Sequence, residues 1–336
     1  MRRAAPVPPG AAPLSGSRTW GLALSGGGVL GAAHLGVLRA LEEWGYAPAV
    51  EVGASAGGLV TGARASGLST EAATAFFRSV CASPWRFALG ELISFHRGLL
   101  SHELLGLLSL RPMLRALAGT APRTTVAEWP AGSAVMTVDL GRPGGLVRVQ
   151  GGSDFGGAVD ALQATSALPG LFAALRRGEH LYVDGGLADD LPVEAAFALG
   201  ADRVLSVNVG GSLPMAALPE AVSLGEVVAR AVAFGTATLT QAANPDRGPV
   251  LALRPEVPAG AGLLSFGGFD ALVDAGYRAA AASRDAIVEF LSDAPDDGTG
   301  PTPPQGPADA PGRAGAAEAV TEAEVSGPVG GGGPES

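Results

Sequence analysis

The chain is poor in the residues that would tie it to an oxidising compartment or to a nucleic acid. Cys81 is its only cysteine. An intramolecular disulfide is therefore excluded, and folding needs no oxidising compartment. Lysine is absent, and the arginines form no basic run. No nucleic-acid partner is expected. No stretch of about 18 apolar residues occurs, so no membrane span is expected. After Met1-Arg2-Arg3, prolines at positions 6, 8, 9 and 13 interrupt any signal-peptide core. A cytoplasmic location is the expectation. Histidines number only four, which restricts how a Ser-His-Asp triad could be assembled.

Glycine and proline are plentiful and unevenly placed. Residues 1–18 are rich in Pro and Ala without apolar periodicity, and residues 294–336 hold Pro, Gly, Ala and acids with no aromatic. Neither stretch carries enough apolar surface to offset the entropy of ordering it, so both are expected to be disordered. Seven acids and one Arg give this tail −6 of the net charge of −10. The remainder is close to balanced, and its charge singles out no partner. The expected folded body is one domain over 19–293.

Within that body, short apolar runs alternate with helical periodicity. Residues 20–25, 50–52, 134–140, 146–150, 181–183, 203–209 and 250–253 read as strands. Residues 32–44 read as a helix, with Leu35, Leu38, Leu41 and Trp44 at helical spacing and Gly45 as the stop. Further helices are expected over 56–66, 159–168, 193–199, 222–243 and, as one long element, 269–291. This alternation predicts an α/β fold with a mostly parallel sheet. Residues 85–118 depart from it as a strongly apolar insertion, with a Leu-rich helix expected over 103–117. Core packing is one reading of the insertion. A cap that meets acyl chains or a membrane surface is the other.

Gly53-Ala54-Ser55-Ala56-Gly57 is a G-x-S-x-G sequence directly after the strand at 50–52. Small residues around the serine permit a sharp strand-to-helix turn that exposes its hydroxyl. Upstream, Gly26, Gly27 and Gly28 precede a helix. Their N–H groups can face a developing negative charge, and no side chain blocks a substrate. Downstream, Asp184 ends a predicted strand and is followed by Gly185 and Gly186, so its carboxylate stands in an open turn. A nucleophile, oxyanion donors and a base are the parts that acyl-ester hydrolysis needs.

Two rival assignments use the same residues. Gly26 to Gly31 also fits the G-x-G-x-x-G dinucleotide fingerprint, with Glu51 about twenty residues on as the ribose acid. Against it, Glu51 lies two residues before the serine turn. A Ser-His-Asp triad would draw on His180 with Asp139 or Asp154, in the order of an α/β-hydrolase. Here, however, only one strand separates Ser55 from the glycine loop. His34 is expected to be a packed helix histidine, and His96 and His102 lie in the apolar insertion.

Four motifs resemble those of the patatin-like phospholipases: Gly26 to Leu38 (GGGVLGAAHLGVL), Gly53 to Gly57 (GASAG), Ala164 to Phe172 (ATSALPGLF) and Asp184 to Val193 (DGGLADDLPV). The resemblance covers roughly residues 20–209. It implies a three-layer α/β/α fold and a Ser55–Asp184 dyad without histidine. It also implies an oxyanion hole from the backbone at Gly26, Gly27 and Gly28, with Gly31, Gly53, Gly57, Gly185 and Gly186 as motif glycines. The implied activity is hydrolysis of acyl esters in phospholipids or lysophospholipids, with peripheral membrane contact and no metal or cofactor. A carboxylesterase acting on soluble esters and a non-catalytic lipid-binding protein are the alternatives. The chain departs from the pattern twice. Leu30 stands where the family usually has a basic residue, and Asp190 stands where it has an amide.

Overall fold

The computed structural model describes residues 19–83, 108–142, 144–210, 248–258, 261–262 and 266–292. They belong to one compact unit. The expected leader 1–18, the tail 294–336, residues 85–107 of the insertion and the helix expected over 222–243 lie outside the described residues.

Among the described residues eight strands form one sheet: β1 (Trp20–Leu24), β2 (Val50–Ala54), β3 (Ser133–Asp139), β4 (Leu146–Gln150), β5 (Leu175–Arg177), β6 (His180–Asp184), β7 (Arg203–Val207) and β8 (Val250–Leu253). Their order is β5-β6-β3-β2-β1-β7-β8, with β4 paired to the remaining edge of β3. The pairs β1–β2, β1–β7, β2–β3 and β7–β8 are parallel. The pairs β3–β4, β3–β6 and β5–β6 are antiparallel. The described helices are α1 (Ala32–Glu43), α2 (Ser55–Ala65), α3 (Thr70–Ala82), α4 (Arg111–Ala118), α5 (Ala158–Thr165), α6 (Val193–Ala198), α7 (Phe269–Ala282) and α8 (Arg284–Leu291).

Side-chain alternation sorts the strands onto two cores. Trp20, Leu22 and Leu24 of β1 join Leu205 and Val207 of β7 in the larger core, under α1, α2, α3 and α7. Ala23, Val50, Val52 and Val204 face the opposite way, against Ala195 and Ala196 of α6. Helices therefore cover both faces, giving the three-layer α/β/α arrangement. Leu22, Leu24 and Leu205 are fully buried, and each contributes about 1.5–3 kcal/mol of apolar burial.

The first helix is held unusually closely. A Cβ on Gly36 would strike the Val273 carbonyl, and one on Gly276 would strike the Ala33 carbonyl. Glycine at both positions lets α1 and α7 cross at backbone contact. This fixes α1, whose N-terminus carries the glycine loop.

The structure differs from the sequence reading in three places. The final helix is broken at Ser283, whose N–H is shared between the carbonyls of Ala279 and Ala280 while its own carbonyl starts α8. Apolar spacing continues across the break, so periodicity does not reveal it. Helix α3 and strand β5 occupy stretches where the sequence pattern predicts no element; Ser69 caps α3 by accepting the Ala72 N–H at 3.1 Å. Finally, α4 sends Met113, Leu114 and Leu117 into the larger core, so this part of the apolar insertion is core packing.

Candidate active site

Strand β3 organises the site. Along one edge it pairs with β2 up to Met136, which faces Ala54. Its next residue, Thr137, faces Asp184. Strand β2 runs parallel to β3 and β6 runs antiparallel, so the two carboxyl ends meet head to head. Ser55 leaves β2 where Asp184 ends β6.

Ser55 opens α2 with a φ of 51°, the only positive value off glycine among the described residues. Such a conformation persists only where the surroundings enforce it. A Cβ on Gly53 would collide with the Gly57 backbone, and one on Gly57 with the carbonyls of Leu24 and Ser25. The turn is pinned by the Ser55 N–H donating to Thr165 Oγ1 at 3.2 Å and the Gly57 N–H donating to the Ser25 carbonyl at 3.1 Å. The hydroxyl thus sits at the N-terminus of an eleven-residue helix, where the helix dipole favours negative charge.

Asp184 is 2% exposed. Its Oδ1 accepts the Gly186 N–H at 2.8 Å, and its own N–H donates to the Ala167 carbonyl at 3.0 Å. Burial pushes its carboxyl up to about 7, against the hydrogen bonds from Gly186 and from the Ser55 hydroxyl, with Asp190 adding to the rise. A carboxylate in that range is a far better base for a hydroxyl than one near its ordinary value of about 4.

The glycine loop lies beside the serine. The position that a Cβ on Gly26 would take is 3.1 Å from Ser55 Cβ. The Gly26 N–H already donates to the Asp190 carbonyl at 3.1 Å. Among the described residues the N–H groups of Gly27 and Gly28 have no acceptor. Both residues have positive φ, 147° and 58°, and they turn the chain into the short helix that precedes α1. The loop is anchored at Ser25, whose Oγ accepts the Val209 N–H at 2.9 Å. Gly31 packs on Ala56, and Gly185 on the Met136 carbonyl. Leu30 is fully buried in the larger core and does not face the site.

The two described histidines stand elsewhere. His34 Nε2 donates to the Ser25 carbonyl, and burial lowers its pKa to about 4. His180 Nδ1 is 2.7 Å from Asp139 Oδ2, so that pairing exists. It lies at the opposite end of β6 from Asp184, four residues or about 13 Å along the strand. Asp154 and His180 line an open recess there with Phe155, Arg177 and Tyr182. His96 and His102 lie outside the described residues. Glu51 is buried and bonded to Arg64 at 3.0 Å, which removes it as a ribose acid. Thr165, which sequence reasoning did not single out, is the last residue of α5, inside the motif read as ATSALPGLF. Among the described residues no group of three His, Cys, Asp or Glu side chains is placed to hold a metal ion. No described helix is long and apolar enough to cross a membrane.

A serine in a strained strand-to-helix turn, a buried carboxyl and a glycine loop thus meet at one end of a mostly parallel sheet with an α/β/α core. Residues 22–197 match the family model described as patatin-like phospholipase. The chain belongs to that family. It is similar to "Lysophospholipase NTE1" of Pyricularia oryzae, 26% identical over 307 residues, which cover 84% of this chain and 19% of that protein. The protein of the same name from Mycosarcoma maydis is 32% identical over 196 residues, covering 56% of this chain and 10% of that protein. An uncharacterised NTE family protein of Mycobacterium tuberculosis is 28% identical over 192 residues, 57% of this chain and 49% of that protein. The match thus spans about a fifth or less of the fungal relatives. Among solved structures, VipD of Legionella pneumophila aligns with a TM-score of 0.43 and 14% identity, over 82% of this chain and 70% of that one.

Proposed function

We propose that this chain is a serine acyl hydrolase that cleaves acyl esters of lipids, with lysophospholipids as the leading substrate class. The observation that carries the reading is the meeting of Ser55 and Asp184 at the opposed ends of β2 and β6. The printed name of the fungal relatives supports the lipid class.

In this reading Asp184 accepts the Ser55 proton as Oγ attacks the ester carbonyl. The tetrahedral oxyanion is met by the N–H groups of Gly27 and Gly28 and by the N-terminus of α2. Gly26 serves by its lack of a side chain; its N–H is already engaged. On collapse, Asp184 returns the proton to the departing alcohol, leaving the acyl group on Ser55. Water then repeats the sequence with Asp184 as base and regenerates the serine. No step requires a metal or cofactor. A cytoplasmic location with peripheral membrane contact completes the proposal, as does the division into leader, domain 19–293 and tail.

The test is hydrolysis of lysophosphatidylcholine, diacyl phosphatidylcholine and a short-chain nitrophenyl ester by the purified chain, S55A and D184N. Cleavage of the lipids that S55A lacks supports the proposal. Cleavage of the soluble ester alone replaces it with a general carboxylesterase. Lipid binding without turnover replaces it with a binding protein.

A further inference from the structure

Two carboxyl groups meet where β6 ends. The position that a Cβ on Gly186 would take lies 2.7 Å from Asp190 Oδ1 and 3.2 Å from Asp184 Oδ1. The corresponding position on Gly26 is 3.3 Å from Asp190 Cγ and 3.1 Å from Ser55 Cβ. Asp190 Oδ2 lies 3.5 Å from the corresponding point at Gly210, beyond β7. The Asp190 side chain therefore sits against the glycine loop, the turn after Asp184 and the segment after β7 at once.

We propose that Asp190 is a positioning residue that holds a proton for the site. The competent form has Asp190 neutral and Asp184 ionised, with one proton between the two. This rests on the acyl-transfer reading above.

The surroundings favour a single charge. The charged groups near Asp190 are Asp184 on β6 and Asp189 on its own segment, with Glu194 of α6 acting on Asp189. Among the described residues no cation acts on any of the three aspartates. Two like charges this close in a buried site do not both ionise readily. The partners decide which one does. Asp184 has the Gly186 N–H and the Ser55 hydroxyl to hold its negative form, whereas the Asp190 carboxyl shares the one Gly26 N–H with its own backbone carbonyl and has the charge of Asp189 beside it. Burial raises both carboxyls, each to about 7. Ionising Asp190 as well would put a second negative charge beside Gly26, next to where the oxyanion forms.

The test compares wild type with D190N, which keeps the shape and cannot ionise. In wild type, kcat/KM on a soluble ester is expected to fall by about tenfold between about pH 7 and pH 8.5. In D190N that alkaline fall is expected to vanish, and the acidic limb, set by Asp184 beside an already neutral neighbour, to stay where it is. An alkaline limb that persists unchanged in D190N overturns the inference; Asp190 would then act only through its backbone carbonyl. Carboxyl NMR of aspartate-labelled protein reads the same proton without turnover. A protonated aspartate near pH 7 that D190N lacks is expected, and its absence from wild type contradicts the inference even if no ester is cleaved. A wild type that cleaves no ester yet shows that proton defeats the proposed activity and leaves the carboxyl pair standing.

Discussion

His34 donates its Nε2–H to the carbonyl of Ser25 across 2.8 Å. That same carbonyl accepts the Gly57 N–H, so one histidine ties α1 to the end of β1 and the start of the serine turn. Its Nδ1 is buried without a partner among the described residues, and the ring is neutral. His34→Ala removes the donor and leaves a cavity, at a cost of about 2–4 kcal/mol. Thermal unfolding should show it as a clear drop in Tm. Because its folded pKa is lowered to about 4, below the unfolded value near 6.5, His34 withdraws stability from wild type as pH falls from about 6.5 towards 4. The variant should lose less over that interval.

The acidic cluster has the opposite sign. Asp184, Asp189 and Asp190 are raised to about 7, 6 and 7, in each case first by burial. The folded state then binds more protons than the unfolded one between about pH 4 and 7, so their contribution to stability declines as pH rises through that window. D190N should therefore raise Tm more at pH 8 than at pH 5, by roughly 2–4 °C for each kcal/mol recovered. An equal shift at both values would show that Asp190 is ionised throughout.

Thr165→Val tests the support of the turn. The valine keeps the volume but leaves the Ser55 N–H without its acceptor. A loss of about tenfold in kcat is expected, equivalent to roughly 1–2 kcal/mol. Unchanged kcat would show that the glycine contacts alone hold the turn.

His180→Ala should retain ester hydrolysis within about threefold, because β6 places that ring some 13 Å from Asp184. The folded variant should also keep the wild-type pH profile. Inactivity comparable to that of S55A would mean that a histidine triad, not a dyad, does the chemistry.

Local signals made part of this legible. The strands β1, β2 and β7 are short apolar runs, and the turn at Ser55 is written in the glycines at 53 and 57, whose missing side chains admit backbone contacts. The resemblance of four motifs brought in Asp184. The head-to-head register of β2 and β6 on β3 was not legible, because strand pairing between residues as far apart as Ala54 and Met136, or Thr137 and Asp184, leaves no periodic trace. For the same reason, His180 and Asp139 could be weighed as partners but not placed away from Ser55. The sequence offers Gly26, Gly27 and Gly28 as equivalent donors; only the fold shows that the Gly26 N–H faces Asp190. Thr165 acts through its hydroxyl as an acceptor and Ser283 through an N–H shared between two carbonyls, local bonds that composition and spacing do not encode.

The most direct test is covalent labelling with a fluorophosphonate, followed by mass mapping of the modified peptide. A serine activated by Asp184 should take one phosphonyl group, located on Ser55. S55A should take none, and D184N should react slower by about 10² or more. H180A should react at close to the wild-type rate. Labelling of any other residue, or labelling that persists in S55A, would contradict the account.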